Sequence, residues 1–196
     1  MSAYLWSMAV NHASGLQHLF DAVAAASASG RGPAPVHLWN PANCGDIDIR
    51  IARDGSWSYQ GSPIGRPALV RLFSTVLRRD PDGFWLVTPV EKLRIAVEDA
   101  PFIAVGLERA GEALCFATNV GDVVEAGPEH PIRVETGQGG APRPYLRVRG
   151  GLDALIARPV FYELVGLAEE RAAPDGPRLA VRSNQSWFDL GALEGA

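Results

Sequence analysis

The stretch Ile64-Gly65-Arg66-Pro67-Ala68-Leu69-Val70-Arg71-Leu72 decides how this chain is read. A counterpart, Ile156-Ala157-Arg158-Pro159-Val160-Phe161-Tyr162-Glu163-Leu164, lies 92 positions further on, and Ile, Arg-Pro and Leu coincide. Proline has a fixed φ and no N–H to satisfy, so it suits the first turn of a helix, and each Arg-Pro marks a helix start. Upstream, Ile49-Arg50-Ile51 matches Ile132-Arg133-Val134, and Tyr59-Gln60-Gly61 matches Val148-Arg149-Gly150. Both copies read as strand, strand, glycine break, Arg-Pro helix, Pro/Asp/Gly stop, strand. Agreement in element order as well as in residues points to an internal duplication. The repeated β-β-α-β unit predicts an α+β fold of two related halves with short antiparallel sheets, preceded by an N-terminal helix.

Periodicity fills in the segments around the repeat. Ile47, Ile49 and Ile51 alternate with Asp46, Asp48 and Arg50, a half-buried strand. Asp54-Gly55 reads as a hairpin turn with Ser56 to Tyr59 returning. Gly61-Ser62-Pro63 is expected to break that strand. Leu69, Leu72, Phe73, Val76 and Leu77 form a helical stripe that Asp80-Pro81-Asp82-Gly83 ends. Phe84 to Val87 is a further strand. Leu93 to Val97, Phe102 to Leu107 and Ala113 to Thr118 are spaced as an antiparallel meander. In the second copy Pro174-Asp175-Gly176-Pro177 is the stop and Leu179 to Arg182 the strand. Near the N-terminus, Ser14-Gly15-Leu16-Gln17 reads as a capping box before the stripe Leu16, Leu19, Phe20 and Val23. Gly30 to Pro35 is a Gly/Pro linker. The expected organisation is therefore an N-terminal helix and linker over 1–36, a first half over 37–110 and a second over 111–196.

The chain has 196 residues, 18 Lys plus Arg against 22 Asp plus Glu, a net charge of −4 and a pI of about 5.6. With 47% hydrophobic and 20% charged residues it has the composition of an ordinary globular protein. That disfavours a disordered chain, a collagen or a coiled coil. It also disfavours a non-specific nucleic-acid binder, which is normally basic. Cys44 and Cys115 are the only cysteines, too few for a disulfide framework or a cysteine-rich zinc site. No run approaches the roughly 18 apolar residues of a membrane span. No Lys or Arg precedes Arg31, so the positive start of a secretory signal is absent, although Ala24 to Ala28 has the small residues of a cleavage site. A cytoplasmic location is expected.

Several runs resemble one known family. They are Cys44 to Ile51, Asp54 to Ile64, Leu69 to Phe73, Leu86 to Lys92, Val97 to Phe102, Thr118 to Asp122 and Trp187 to Gly191. Together they resemble the proteobacterial domain-of-unknown-function family 1285 over roughly residues 37–191. The resemblance implies an α+β fold built from repeated motifs and a suggested part in signalling. It implies no established reaction, so no catalytic residue is carried over.

The residues themselves offer few chemical sets. Asp46 and Asp48 share one strand face about 6.6–6.8 Å apart, within reach of one ion, with Cys44 nearby. A soft thiol beside hard carboxylates is a mixed set, and Arg50 neutralises the face, so no metal site is expected. His12, His18, His37 and His130 have no ligand spacing. Gly137-Gln138-Gly139-Gly140 lacks the Lys-Ser/Thr of a phosphate loop and reads as an exposed loop. Arg66 and Arg158 stand at helix starts, where free N–H groups, the dipole and a guanidinium all favour an anion; the alternative is that internal groups bind them. Arg147 and Arg149 are expected on one strand face near Arg143, a local basic stripe. Asn119 and Asp122, with Thr118, sit at a turn, where they either touch a ligand or make Asx-type bonds. Two functions follow. The first is a non-enzymatic binding or regulatory module that takes a small anionic ligand or a protein partner through Arg66, Arg158, Asn119, Asp122, Arg147 and Arg149. The second is an enzyme with Asp46, Asp48, Asn119 and Asp122 as acid/base groups assembled between the halves. No cofactor, nucleic acid or membrane is expected as a partner, and a homo-oligomer is a third expectation.

Overall fold

The computed structural model describes residues 17–26, 32–174 and 176–192. They divide into two compact units, one of the described residues up to Arg50 with Trp57–Ala96, the other of Ile51–Ser56 with the described residues from Val97 onward.

In the first unit, helix α1 over 17–26 buries Leu19 and Val23 from the stripe read above. Its capping residue Ser14 and Leu16 lie outside the described residues, as do Gly30 and Arg31 of the linker. Strands β1 (Cys44–Ile51), β2 (Trp57–Tyr59) and β3 (Ser62–Pro63) lead to helix α2 (Pro67–Thr75). Strands β4 (Leu77–Asp80), β5 (Gly83–Val87) and β6 (Lys92–Val97) follow. One sheet takes all six in the order β3-β2-β1-β6-β5-β4. The expected alternation holds: Ile49 and Ile51 are buried, and Asp46, Asp48 and Arg50 face solvent. The expectation of purely antiparallel sheets does not. Lys92 N donates to Asn43 O at 2.9 Å and Glu98 N to Ile51 O at 3.0 Å, so β1 and β6 advance together and are parallel.

Three local readings also change. Gln60 and Gly61 take positive φ of 50° and 75° and turn β2 into β3, so the chain reverses there rather than leaving the sheet. Helix α2 stops at Thr75, before the last two residues of its apolar stripe. The Ser74 and Thr75 hydroxyls donate back to Arg71 O and Leu72 O, and the β-branched pair Thr75-Val76 favours extension, so Leu77 opens β4. Asp80 to Gly83 is then the hairpin between β4 and β5, with Gly83 at φ 143°.

The second unit contains β7 (Phe102–Ala110), β8 (Ala113–Thr118), β9 (Val123–Glu125), β10 (Ile132–Thr136), β11 (Pro142–Arg149) and β12 (Leu152–Ile156). Helix α3 (Arg158–Gly166) and strands β13 (Glu169–Ala173), β14 (Gly176–Ser183) and β15 (Ser186–Ala192) complete it. The sheets run β10-β11-β12-β7-β8-β9 and β13-β14-β15. The first is mixed, because β12 pairs with β7 in parallel. The expected boundary after residue 110 falls inside the paired hairpin β7–β8, so the break lies before β7. For the same reason the run 93–97 leaves the expected meander: it is β6, bonded to β5 in the first unit. Phe102, Phe116, Leu146, Leu152 and Leu164 are among the fully buried side chains. Ser183, fully buried, joins the two sheets: its hydroxyl accepts from Leu114 N at 3.0 Å and donates to Ala126 O at 2.7 Å.

Element order around the two Arg-Pro motifs corresponds. A left-handed turn (Gln60-Gly61; Gly150-Gly151) precedes a strand and then a nine-residue helix. A three-stranded antiparallel meander follows each helix, its first hairpin ending on a glycine of positive φ, Gly83 or Gly176. Two differences remain. Arg66 caps α2, whereas Arg158 is the first residue of α3. The first meander joins its sheet by hydrogen bonds from β6 to β1, whereas β15 only lies beside β10 and the second meander is a separate sheet.

Candidate functional site

Strand alternation on β11 puts Arg143, Tyr145 and Arg147 on one face, and a bulge between Arg147 and Arg149 redirects the last arginine. Arg147 Nε donates to Asp153 Oδ1 at 2.6 Å, and Arg133 Nη1 meets the other oxygen of Asp153 at 3.1 Å. The Arg133 guanidinium also stacks 4.6 Å from the Tyr145 ring centroid. Tyr145 donates its hydroxyl to Asp99 at 2.8 Å, and Arg143 donates to the same carboxylate. Burial and the Asp99 carboxylate push the Tyr145 phenol up to about 12, so it remains a neutral donor. Burial opposes the charge on Arg133, but Asp153 and Glu135 outweigh it and hold the guanidinium above its ordinary range. Arg149 pairs with Asp122 and lies 4.8 Å from the Phe102 ring centroid. The basic stripe read from sequence is thus balanced by Asp99, Asp122 and Asp153.

Asn119 is committed to the backbone. Its Oδ1 accepts from Ile103 N at 3.0 Å, and its amide nitrogen donates to Gly55 O at 3.5 Å. Gly55 has φ +81°, and a Cβ there would sit 2.6 Å from Ile103 Cγ1 and 2.9 Å from the Asn119 amide, so only glycine fits. Asp122 N donates to Thr118 Oγ1 at 3.0 Å, which closes the turn. Thr118, Asn119 and Asp122 therefore build the turn and anchor the 51–56 loop.

Arg66 and Arg158 are exposed, and neither side chain has a hydrogen-bond or ion-pair partner among the described residues. Among the described residues no carboxylate or carbonyl binds either side chain, which was the alternative. Asp46 and Asp48 lie on the open face of β1, and no group of three or more metal-ligating side chains occurs among the described residues.

The first unit has a compact charge cluster of its own. Asp80 is ion-paired with Lys92 at 2.6 Å and accepts a hydrogen bond from Arg78 Nη2 at 3.0 Å. Burial pushes its carboxyl up, but the two cations outweigh burial and hold it below the usual carboxylate range. Lys92, the only lysine of the chain, also lies 3.9 Å from the Trp85 ring centroid. Arg78 Nη1 donates to Val36 O at 2.9 Å and Trp39 O at 2.7 Å. The sequence reading missed Asp80, Arg78, Asp99, Tyr145 and Asp153. Only the alternation of Arg143, Tyr145 and Arg147 signalled any of them, because their partners come from distant strands.

Residues 34–100 match the description "Domain of unknown function (DUF1285), N-terminal domain", and residues 101–190 match "Protein of unknown function (DUF1285), C-terminal domain". The chain belongs to the DUF1285 family. A DUF1285 family protein from Silicibacter pomeroyi DSS-3 is 52% identical, with a TM-score of 0.77 over 84% of this chain and 91% of that one. One from Shewanella baltica OS155 is 29% identical, with a TM-score of 0.50 over 60% of this chain and 90% of that one. No curated protein matches. The two DUF1285 domains meet at residues 100 and 101, directly before β7. No helix of the described residues is long and apolar enough to cross a membrane.

Proposed function

We propose that this DUF1285 protein is a non-enzymatic binding module with a part in signalling or regulation, and that its two halves arose by duplication. The observation that supports binding over catalysis is the disposition of charge. Asn119 and Asp122, offered for acid/base work, are used by the turn and by Arg149. Arg66 and Arg158, in contrast, stand exposed, their side chains without partners among the described residues, at the starts of two nine-residue helices. Free N–H groups, the helix dipole and a guanidinium add at such a start, each modest alone, so a carboxylate or phosphate is the ligand class that fits. Arg147 and Arg149 are left out of this site because their carboxylates already neutralise them. A cytoplasmic location and small anions or proteins as partners belong to the same proposal. Shared origin is supported by the matching turns, helices and meanders.

Thermal unfolding in increasing phosphate and citrate tests the reading, with chloride at equal ionic strength as control. Expected is a rise in Tm that Arg66→Ala or Arg158→Ala removes while ligand-free stability stays within about 0.5 kcal/mol. A parent protein indifferent to both anions refutes it.

A further inference from the structure

The two meanders differ at one corresponding position. Arg78 lies two residues before Asp80, the partner of turn glycine Gly83, and Arg171 lies two residues before Ala173, the partner of Gly176. β4 and β13 are each the outer strand of a sheet. Along β4 that place is filled by the chain itself. Ala34 N donates to Thr75 O at 2.9 Å, and the Val36 and Trp39 carbonyls accept from Arg78. The covering segment is Pro33-Ala34-Pro35-Val36-His37-Leu38-Trp39, apolar, proline-rich and held by its main-chain oxygens. The Arg78 side chain is only 14% exposed as a result.

Along β13 nothing among the described residues does this. Glu169 to Ala172 are all exposed. The Arg171 side chain makes no hydrogen bond or ion pair among the described residues, and its guanidinium rests 4.2 Å from the ring centroid of Trp187, which is 36% exposed. Trp187 stands on β15, two strands from β13, so the guanidinium reaches across the sheet face to it, and an exposed indole beside a guanidinium is a preformed anchor, with tryptophan and arginine among the side chains most often found at interface hot spots.

We propose that the open face of the β13–β14–β15 sheet where Arg171 meets Trp187, bounded by the uncovered β13 strand, docks an extended, proline-containing peptide of a protein partner. Arg171 would take its main-chain carbonyls as Arg78 takes those of Val36 and Trp39. The chemistry favours carbonyls over carboxylates. Arg178 and Arg182 already hold Asp189 and Glu112, and Glu169 and Glu170 lie on β13 itself, so an acidic chain meets as much repulsion as attraction. Prolines keep the peptide extended before it binds and present flat apolar rings to the indole, which lowers the ordering cost. This inference is independent of the anion site, since neither Arg66 nor Arg158 takes part.

The probe is a fluorescent, end-capped peptide with the sequence of residues 33–39, titrated against the full chain and followed by anisotropy and by amide chemical shifts. Expected are saturable binding below about 1 mM, shifts centred on β13 to β15, and at least roughly tenfold weakening by Arg171→Ala and by Trp187→Ala. Replacing both prolines of the peptide by glycine should weaken binding as well. Any of these results overturns the proposal: no saturation at about 1 mM; affinity unchanged by Arg171→Ala; shifts centred on β4 instead; or equal competition by an acidic peptide of the same length. Self-association that Arg171→Ala abolishes also overturns it, since the occupant is then a second copy. The shift map on the parent protein decides the matter even if a variant folds poorly.

Discussion

The meander β4–β5–β6 and the meander β13–β14–β15 each follow a nine-residue helix and each open with a hairpin that closes on a glycine of positive φ, Gly83 or Gly176, yet their polar residues live differently. In the first, Arg78, Asp80 and Lys92 are less than one-fifth exposed and interlocked around Trp85. In the second, Arg171, Arg178 and Arg182 stand outward, and Trp187 keeps a third of its surface open. The same backbone plan thus supports a closed charge cluster in one place and an open charged face in the other. What separates them is coverage. One outer strand has a chain segment held beside it through Arg78, and the other has none among the described residues.

The sharpest way to break this comparison is Arg78→Ala. It strands two main-chain carbonyls and removes one of the two cations holding Asp80, and losing one member of a largely buried charge network costs about 3–5 kcal/mol. Urea unfolding measures it, and a loss under about 1 kcal/mol would mean that the covering segment is not held as described. Ser183→Ala comes next. It leaves Leu114 N and Ala126 O buried without their partner, an expected loss of about 1–3 kcal/mol by the same measurement. A loss under about 0.5 kcal/mol would mean that the Asn184 bonds to Glu112 and Glu125 hold the second meander to its neighbouring sheet without Ser183.

Acid sensitivity distinguishes the two meanders further. The Asp80 carboxyl is held lower in the folded protein than in the unfolded chain, where it is near about 3.9. Its contribution is therefore complete above that value and is lost as pH falls through the lower folded value. Asp80→Asn should remove that part of the acid unfolding curve below about pH 4, shifting the midpoint by roughly half a pH unit, as followed by circular dichroism. The smallest effect belongs to Arg171→Ala, expected within about 0.5 kcal/mol of the parent because the side chain is exposed and only stacked. A loss comparable to that of Arg78→Ala would show the two positions to be equally structural and would erase the contrast.

Much of the fold was legible from local pattern. Ile49 and Ile51 alternating with acidic residues specified β1, because side chains in a strand point to opposite faces whatever it pairs with. Leu19 and Val23 specified the buried stripe of α1 for the equivalent reason in a helix. The two Arg-Pro steps marked the starts of α2 and α3, since proline is tolerated there and almost nowhere else in a helix. Asp54-Gly55 and the Pro-Asp-Gly steps marked turns through glycine's access to positive φ. These signals act within a few residues, and the chain carries them wherever it goes.

Other features needed the assembled molecule. That β6 lies between β1 and β5, and that β12 runs parallel to β7, depends on pairing between segments dozens of residues apart, about which periodicity is silent. The fates of the arginines differ for the same reason. Arg147 and Arg149 look alike in the sequence to Arg66 and Arg158, but Asp153 and Asp122 come back across the sheet to meet the first pair and nothing described meets the second. A charge's partner is set by three-dimensional return of the chain, so sequence determined which residues could carry a site, and tertiary structure decided which of them were left free to do so.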